Sequence, residues 1–202
     1  MKLKIFFILL SHILIAQEFI EVPVREFFQE YNFLLDFPNR YYVETGASGG
    51  GSIERALDAH FSWIRSIDTN IESIRCCRKK FNHRVKLWHG NSSQLLWEMI
   101  KDISTPITFW LDAHRFPPEP DGLPNCPLLQ ELEQIKLHPI KTHTILIDDI
   151  RCCGSEAFDY ITKEDLIQKV LEINPEYEVY FIGISSKTPI LVATLLKNNK
   201  KF

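Results

Sequence analysis

The chain has 202 residues, of which 45% are hydrophobic. That is enough for one domain of ordinary size with a real core. The formal net charge is −3, with both signs interspersed, so the chain lacks the basic surplus that a nucleic-acid backbone demands and no nucleic-acid partner is expected. The five cysteines include two adjacent pairs, Cys76-Cys77 and Cys152-Cys153, with Cys126 alone. No C-x-x-C occurs, which excludes the usual zinc and thiol-redox motifs and leaves reduced, partly buried thiols as the expectation.

In chain order, Lys2 and Lys4 precede an apolar run over residues 5–16 that ends at Ala16, before polar Gln17 and Glu18. A basic start, a short apolar run and a small residue at its end read as a signal-like leader. The run is short for a membrane span. Residues 1–16 therefore predict export or tethering, membrane contact is expected only through them, and residues 17–202 form a single domain. Apolar spacing predicts a helix over 24–35, broken by Pro38 and Asn39. A short strand over 41–44 runs into a glycine-rich loop, and a helix follows over 52–61 with Ser52 as its N-cap. Residues 63–68 read as a strand and 71–81 as a helix capped by Asn70.

The alternation continues with strands over 84–89, 106–112 and 142–148, and helices over 92–103 and 126–137. A proline-rich loop, 115–125, precedes the second of these helices and is placed to cover a cleft. A helix over 162–173 carries Thr162 and Asp165 at capping-box spacing. Two strands joined by a polar turn close the chain. This order calls for an α/β, Rossmann-like, doubly wound and mostly parallel sheet of about seven strands, with one antiparallel strand in the last hairpin.

Such a sheet binds ligands beyond the carboxyl ends of its strands. The residues there are Glu44, Asp68, Asn91, Asp112 with His114, and the pair Asp148-Asp149. Carboxylates gathered in one place repel unless a positive group sits among them. The loop itself, Gly46-Ala47-Ser48-Gly49-Gly50, admits two readings. It spells G-x-S-x-G, the turn that presents a serine nucleophile, but no histidine follows Asp148 or Asp149 to activate Ser48. It is also a strand-to-helix glycine loop, with Asp68 22 residues after Gly46 at the end of the next strand. That is where a ribose-binding carboxylate belongs. Ser48 occupies the middle glycine position of the dinucleotide fingerprint, and Glu44 suits a ligand with an ammonium group better than one with phosphates. Both count against a nicotinamide cofactor.

With these residues in place, the chain from Tyr41 to the final hairpin resembles the class I S-adenosylmethionine-dependent methyltransferases. VETGASGGGS is similar to their first motif in an E-T-G-x-x-x-G form. FWLDAH, CPLLQELEQI and HTILIDDIR resemble a group of small methyltransferase-like proteins. The resemblance implies S-adenosylmethionine as cofactor, with Glu44, Gly46, Ser48 and Gly50 around its methionine end, Asp68 on the ribose, and Asn91 and Ser92 near the adenine. It also implies a metal-dependent O-methyl transfer. Metal-dependent O-methyltransferases carry an Asp after the fourth strand and an acidic pair after the fifth, where Asp112, Asp148 and Asp149 stand here. Hard carboxylate oxygens suit Mg²⁺, and Asp112 and His114 would be the catalytic pair. The expected acceptor is a small or glycan-like molecule. The alternative is an exported, non-catalytic binding protein on the same fold.

Overall fold

The computed structural model describes residues 23–26, 31–115, 124–183 and 189–195. The leader-like segment, most of the proline-rich loop and residues 196–202 lie outside the described residues. In chain order the regular elements are β1 (Val24–Glu26), β2 (Tyr41–Thr45), α1 (Gly51–Asp58), β3 (Trp63–Asp68), α2 (Ile71–Phe81), β4 (Val85–His89), α3 (Ser92–Ile100), β5 (Ile107–Leu111), α4 (Leu128–Leu137), β6 (Thr144–Ile147), α5 (Lys163–Ile173), β7 (Glu178–Gly183) and β8 (Pro189–Thr194). They form one sheet in the order β1-β7-β8-β6-β5-β2-β3-β4. Only β8 runs against its neighbours, β6 and β7. The fold is thus the expected Rossmann-like α/β sheet with an antiparallel last strand.

Two local expectations are corrected. The helix predicted over 24–35 does not form as such. Residues 24–26 are a short strand paired in parallel with β7, and Phe33–Asp36 is a single 3-10 turn capped by the Asn32 side chain. The apolar spacing that suggests a helix instead supplies Phe33, Leu34 and Phe37, which are buried in the core. Among the described residues the sheet therefore has eight strands. Ser52 does not cap α1 either. The N-cap is Gly50, in the left-handed conformation, which frees the Ser52 hydroxyl for another partner. Asn70 caps α2, and Thr162 with Asp165 forms a complete capping box on α5.

Alternating side chains divide the core in two. Tyr42, Ile64 and Trp110 point to the face covered by α1 and α2. Val43, Ile67, Phe109 and Ile145 point to the face covered by α3, α4 and α5. All five residues of β5 are buried, as a strand covered on both faces requires. β2 lies between β3 and β5, and the chain leaves β2 towards β3 while β5 continues the sheet the other way. The strand order reverses here, and the carboxyl ends of β2 and β5 border a crevice.

Candidate functional site

The glycine loop is shaped by close packing. Gly46 has φ +85°, and a Cβ there would stand 2.6 Å from the Asp112 carbonyl oxygen. Gly50 has φ +80°, and a Cβ there would stand 2.5 Å from the Phe81 ring. Both positions need glycine, for conformation and for space. Ser48 between them also has a positive φ, 44°. Its backbone N–H donates to Asp68 Oδ2 at 2.8 Å, while Asn70 N–H donates to Asp68 Oδ1 at 2.7 Å. Asp68 thus pins the loop to the end of β3 while lining the cleft beside it.

Glu44 is fully buried beneath the loop. Ser52 Oγ and Tyr42 Oη donate to its Oε2 at 2.5 and 3.2 Å, and Ser66 Oγ donates to Oε1 at 2.6 Å. Burial raises its pKa to about 7 against the pull of these three hydroxyls. It therefore underpins the loop and is absent from the walls of both clefts described below.

The strand-end acids crowd together. Burial, then the charges of Asp148, Asp149 and Glu44, raise the Asp112 pKa to about 8. Burial likewise raises Asp148 to about 6. His114 stands between two of the acids, with Nδ1 3.6 Å from Asp112 Oδ1 and Nε2 3.4 Å from Asp149 Oδ2. Burial depresses its pKa despite Asp149. Arg151 Nε lies 3.1 Å from Asp149 Oδ1. One ligand atom from each of Asp112, His114 and Asp149 lies within 4.8 Å of the others. Two hard oxygens and an imidazole converging on one point, with Asp112 crowded by like charge, fit a divalent cation.

Two clefts meet at this point. The first, about 150 Å³, is lined by Asp68, Asn91, Ser92, Asp112 and His114 among others. The second, about 550 Å³, lies over the amino end of α1, with Arg55, Trp110, Asp112 and Asp148 in its walls. Gly46, Ser48 and Asp112 belong to both. Asn91 faces the first cleft while its side-chain oxygen caps α3 by accepting from Ser93 N at 2.9 Å.

Of the residues singled out in the sequence, the structure gathers all but Glu44 and Gly50 around the clefts or the metal-like cluster. It divides the acidic pair: Asp149, held at φ 50°, joins Asp112 and His114, while Asp148 faces the second cleft. Arg55 and Trp110 join the second cleft without a signal in the sequence, because an arginine in a helix and a tryptophan inside a strand mark no site by themselves.

No family model and no curated protein matches this sequence. Solved structures do match in fold. A putative methyltransferase from Streptococcus mutans in complex with SAH superimposes with a TM-score of 0.57 at 13% identity, covering 81% of this chain and 94% of that one. An rRNA methylase from Streptococcus thermophilus gives 0.54 at 12%, covering 82% and 93%. A ribosomal protein L11 methylase from Lactobacillus delbrueckii subsp. bulgaricus gives 0.51 at 10%, covering 78% and 70%. The fold is the Rossmann-like methyltransferase fold.

Proposed function

We propose that this protein transfers a methyl group from S-adenosylmethionine to an oxygen of a small-molecule or glycan-like acceptor, with a divalent ion such as Mg²⁺ held by Asp112 and Asp149 beside His114. The observation that carries this reading is the convergence of those three side chains where the two clefts meet, beside a glycine loop in a methyltransferase fold. When bound, the cofactor supplies a sulfonium methyl, and the ion lowers the pKa of the acceptor hydroxyl.

The protein's own residues supply position and proton transfer. The first cleft takes the nucleoside, with Asp68 facing its ribose and Asn91 and Ser92 its base. Gly46 lets the loop approach the cofactor at the junction. The second, larger cleft takes the acceptor. His114, whose imidazole is kept neutral by burial, accepts the hydroxyl proton as the O–CH₃ bond forms and the S–CH₃ bond breaks. Asp149 orients the ring from the other side.

Calorimetric titration with S-adenosylhomocysteine (SAH), with and without Mg²⁺, tests both halves. Binding in the micromolar range, weakened about tenfold or more by Asp68→Ala, is expected. Separately, Mg²⁺ should bind the wild type and not Asp149→Ala. Absence of SAH binding by the folded wild-type protein refutes the assignment.

A further inference from the structure

Behind the first cleft lies a buried acid that the site above does not use. Glu131, in the first turn of α4, has no exposed surface. Neither of its carboxylate oxygens has a hydrogen-bond partner among the described residues. Protein interiors seldom leave a carboxyl in that state. Burial pushes its pKa up to about 7, while the Ser92 and Thr45 hydroxyls nearby draw it down. They stand beside the carboxyl without completing a bond of ordinary geometry. Ser92 is the link to the ligand, since it begins α3 and lines the first cleft.

A second side chain of α4 holds the same turn. Gln134, three residues after Glu131, donates through Nε2 to the Ser92 and Ser93 carbonyls at 3.1 and 2.9 Å. Its Oε1 accepts from Trp97 N–H at 2.7 Å. A regular α-helix runs that N–H to the carbonyl of Ser93. Here the Gln134 amide stands between the two, so α4 fixes where the first turn of α3 lies.

We propose that Glu131 is a positioning residue that sets base specificity. It draws the Ser92 hydroxyl proton towards itself and turns the hydroxyl lone pairs to the cleft, so that a base with an amino donor is selected over one with an oxo acceptor. The inference rests on the methyltransferase reading, which places a nucleoside in this cleft. A hydroxyl has one proton and two lone pairs, and an ionised carboxylate beside it can only accept. The ligand group that meets Ser92 must then donate. The 6-amino group of adenine does so, and the 6-oxo group of hypoxanthine does not. Glutamine at position 131 keeps the size and brings an N–H₂ donor, which releases the Ser92 proton to face the ligand.

The test is calorimetric titration of SAH and its inosine analogue, S-inosylhomocysteine, against the wild type, Glu131→Gln and Ser92→Ala. The wild type should prefer the adenine compound by about tenfold or more. Both variants should reduce that preference to within about threefold, and Glu131→Gln should do so without weakening the inosine compound. General loosening of the cleft would instead weaken both ligands together. An unchanged preference in Glu131→Gln, or a parallel loss for both ligands, overturns the proposal. Should Glu131→Gln fail to fold by circular dichroism, an unchanged preference in Ser92→Ala overturns it equally. A wild type that binds neither compound overturns the methyltransferase reading itself, and this inference with it.

Discussion

The strands β5 and β6 carry buried polar groups at both ends, and the two ends are built differently. At the amino ends, His143 Nδ1 accepts from Ile107 N–H at 3.1 Å, and its Nε2 meets His138 Nδ1 at 3.1 Å. His138 Nε2 continues to the Ile103 carbonyl at 3.0 Å. This chain of contacts gives each ring one donor and one acceptor nitrogen, and all four nitrogens have partners. At the carboxyl ends, Asp112 feels the charges of both Asp148 and Asp149, with His114 at 3.4 Å or more from its acidic neighbours. The saturated end holds the fold together. The acidic end, only partly offset by Arg151, costs stability, as expected of a site that awaits a ligand.

Substitution at the carboxyl end should give the largest effect. Asp112→Ala should lower methyl-transfer kcat by about 10²–10³-fold with no loss of thermal stability, as measured by turnover and a melt on the same sample. A fall in both by similar free energies would erase the contrast between the ends. Acid should strike the amino end next. Burial holds the His143 pKa at about 3, below its ordinary 6.5. A histidine depressed in the folded state contributes stability that is complete above pH 6.5 and is lost as pH falls towards 3. Denaturant melts of the wild type should therefore lose a few kcal/mol, on the order of 2–4, between pH 7 and pH 4. His143→Phe should remove much of that dependence.

At pH 7 the same His143→Phe variant should cost about 2 kcal/mol, because the Ile107 N–H loses its partner. Its kcat should match the wild type once corrected for folded fraction. The smallest effect has the opposite sign. Asp112→Asn should stabilise the metal-free protein by roughly 0.5–2 kcal/mol. The raised pKa of Asp112 means that ionisation opposes folding, so the gain should appear as pH rises above about 4 and be full above about 8. A destabilised Asp112→Asn would show that the acid serves the fold.

Much of the carboxyl end was legible in the sequence. Strand ends in a parallel sheet follow from the alternation of patterns, and Asp68, Asp112 and Asp149 sit at them. What the sequence did not disclose depends on backbone turns and on contacts between helices. The separation of Asp148 from Asp149 follows from a left-handed residue that no periodicity announces. Glu131 and Gln134 read as an ordinary polar helix face until α3 is packed against them. The histidine pair was equally hidden, since His138 and His143 belong to a loop whose closure depends on β5. β1 was missed because three residues carry too little pattern, and its strand state comes from pairing with β7.

That short strand also defines one edge of the sheet. β1 runs parallel to β7, and the Pro23 carbonyl accepts from Phe181 N–H at 2.8 Å. Val24, Arg25 and Glu26 lie level with Phe181, Ile182 and Gly183, the last three residues of β7, so β1 extends the edge of the sheet along its carboxyl half. Three residues thus widen the sheet at the end that carries the clefts, with β7, β8 and β6 between them and β5.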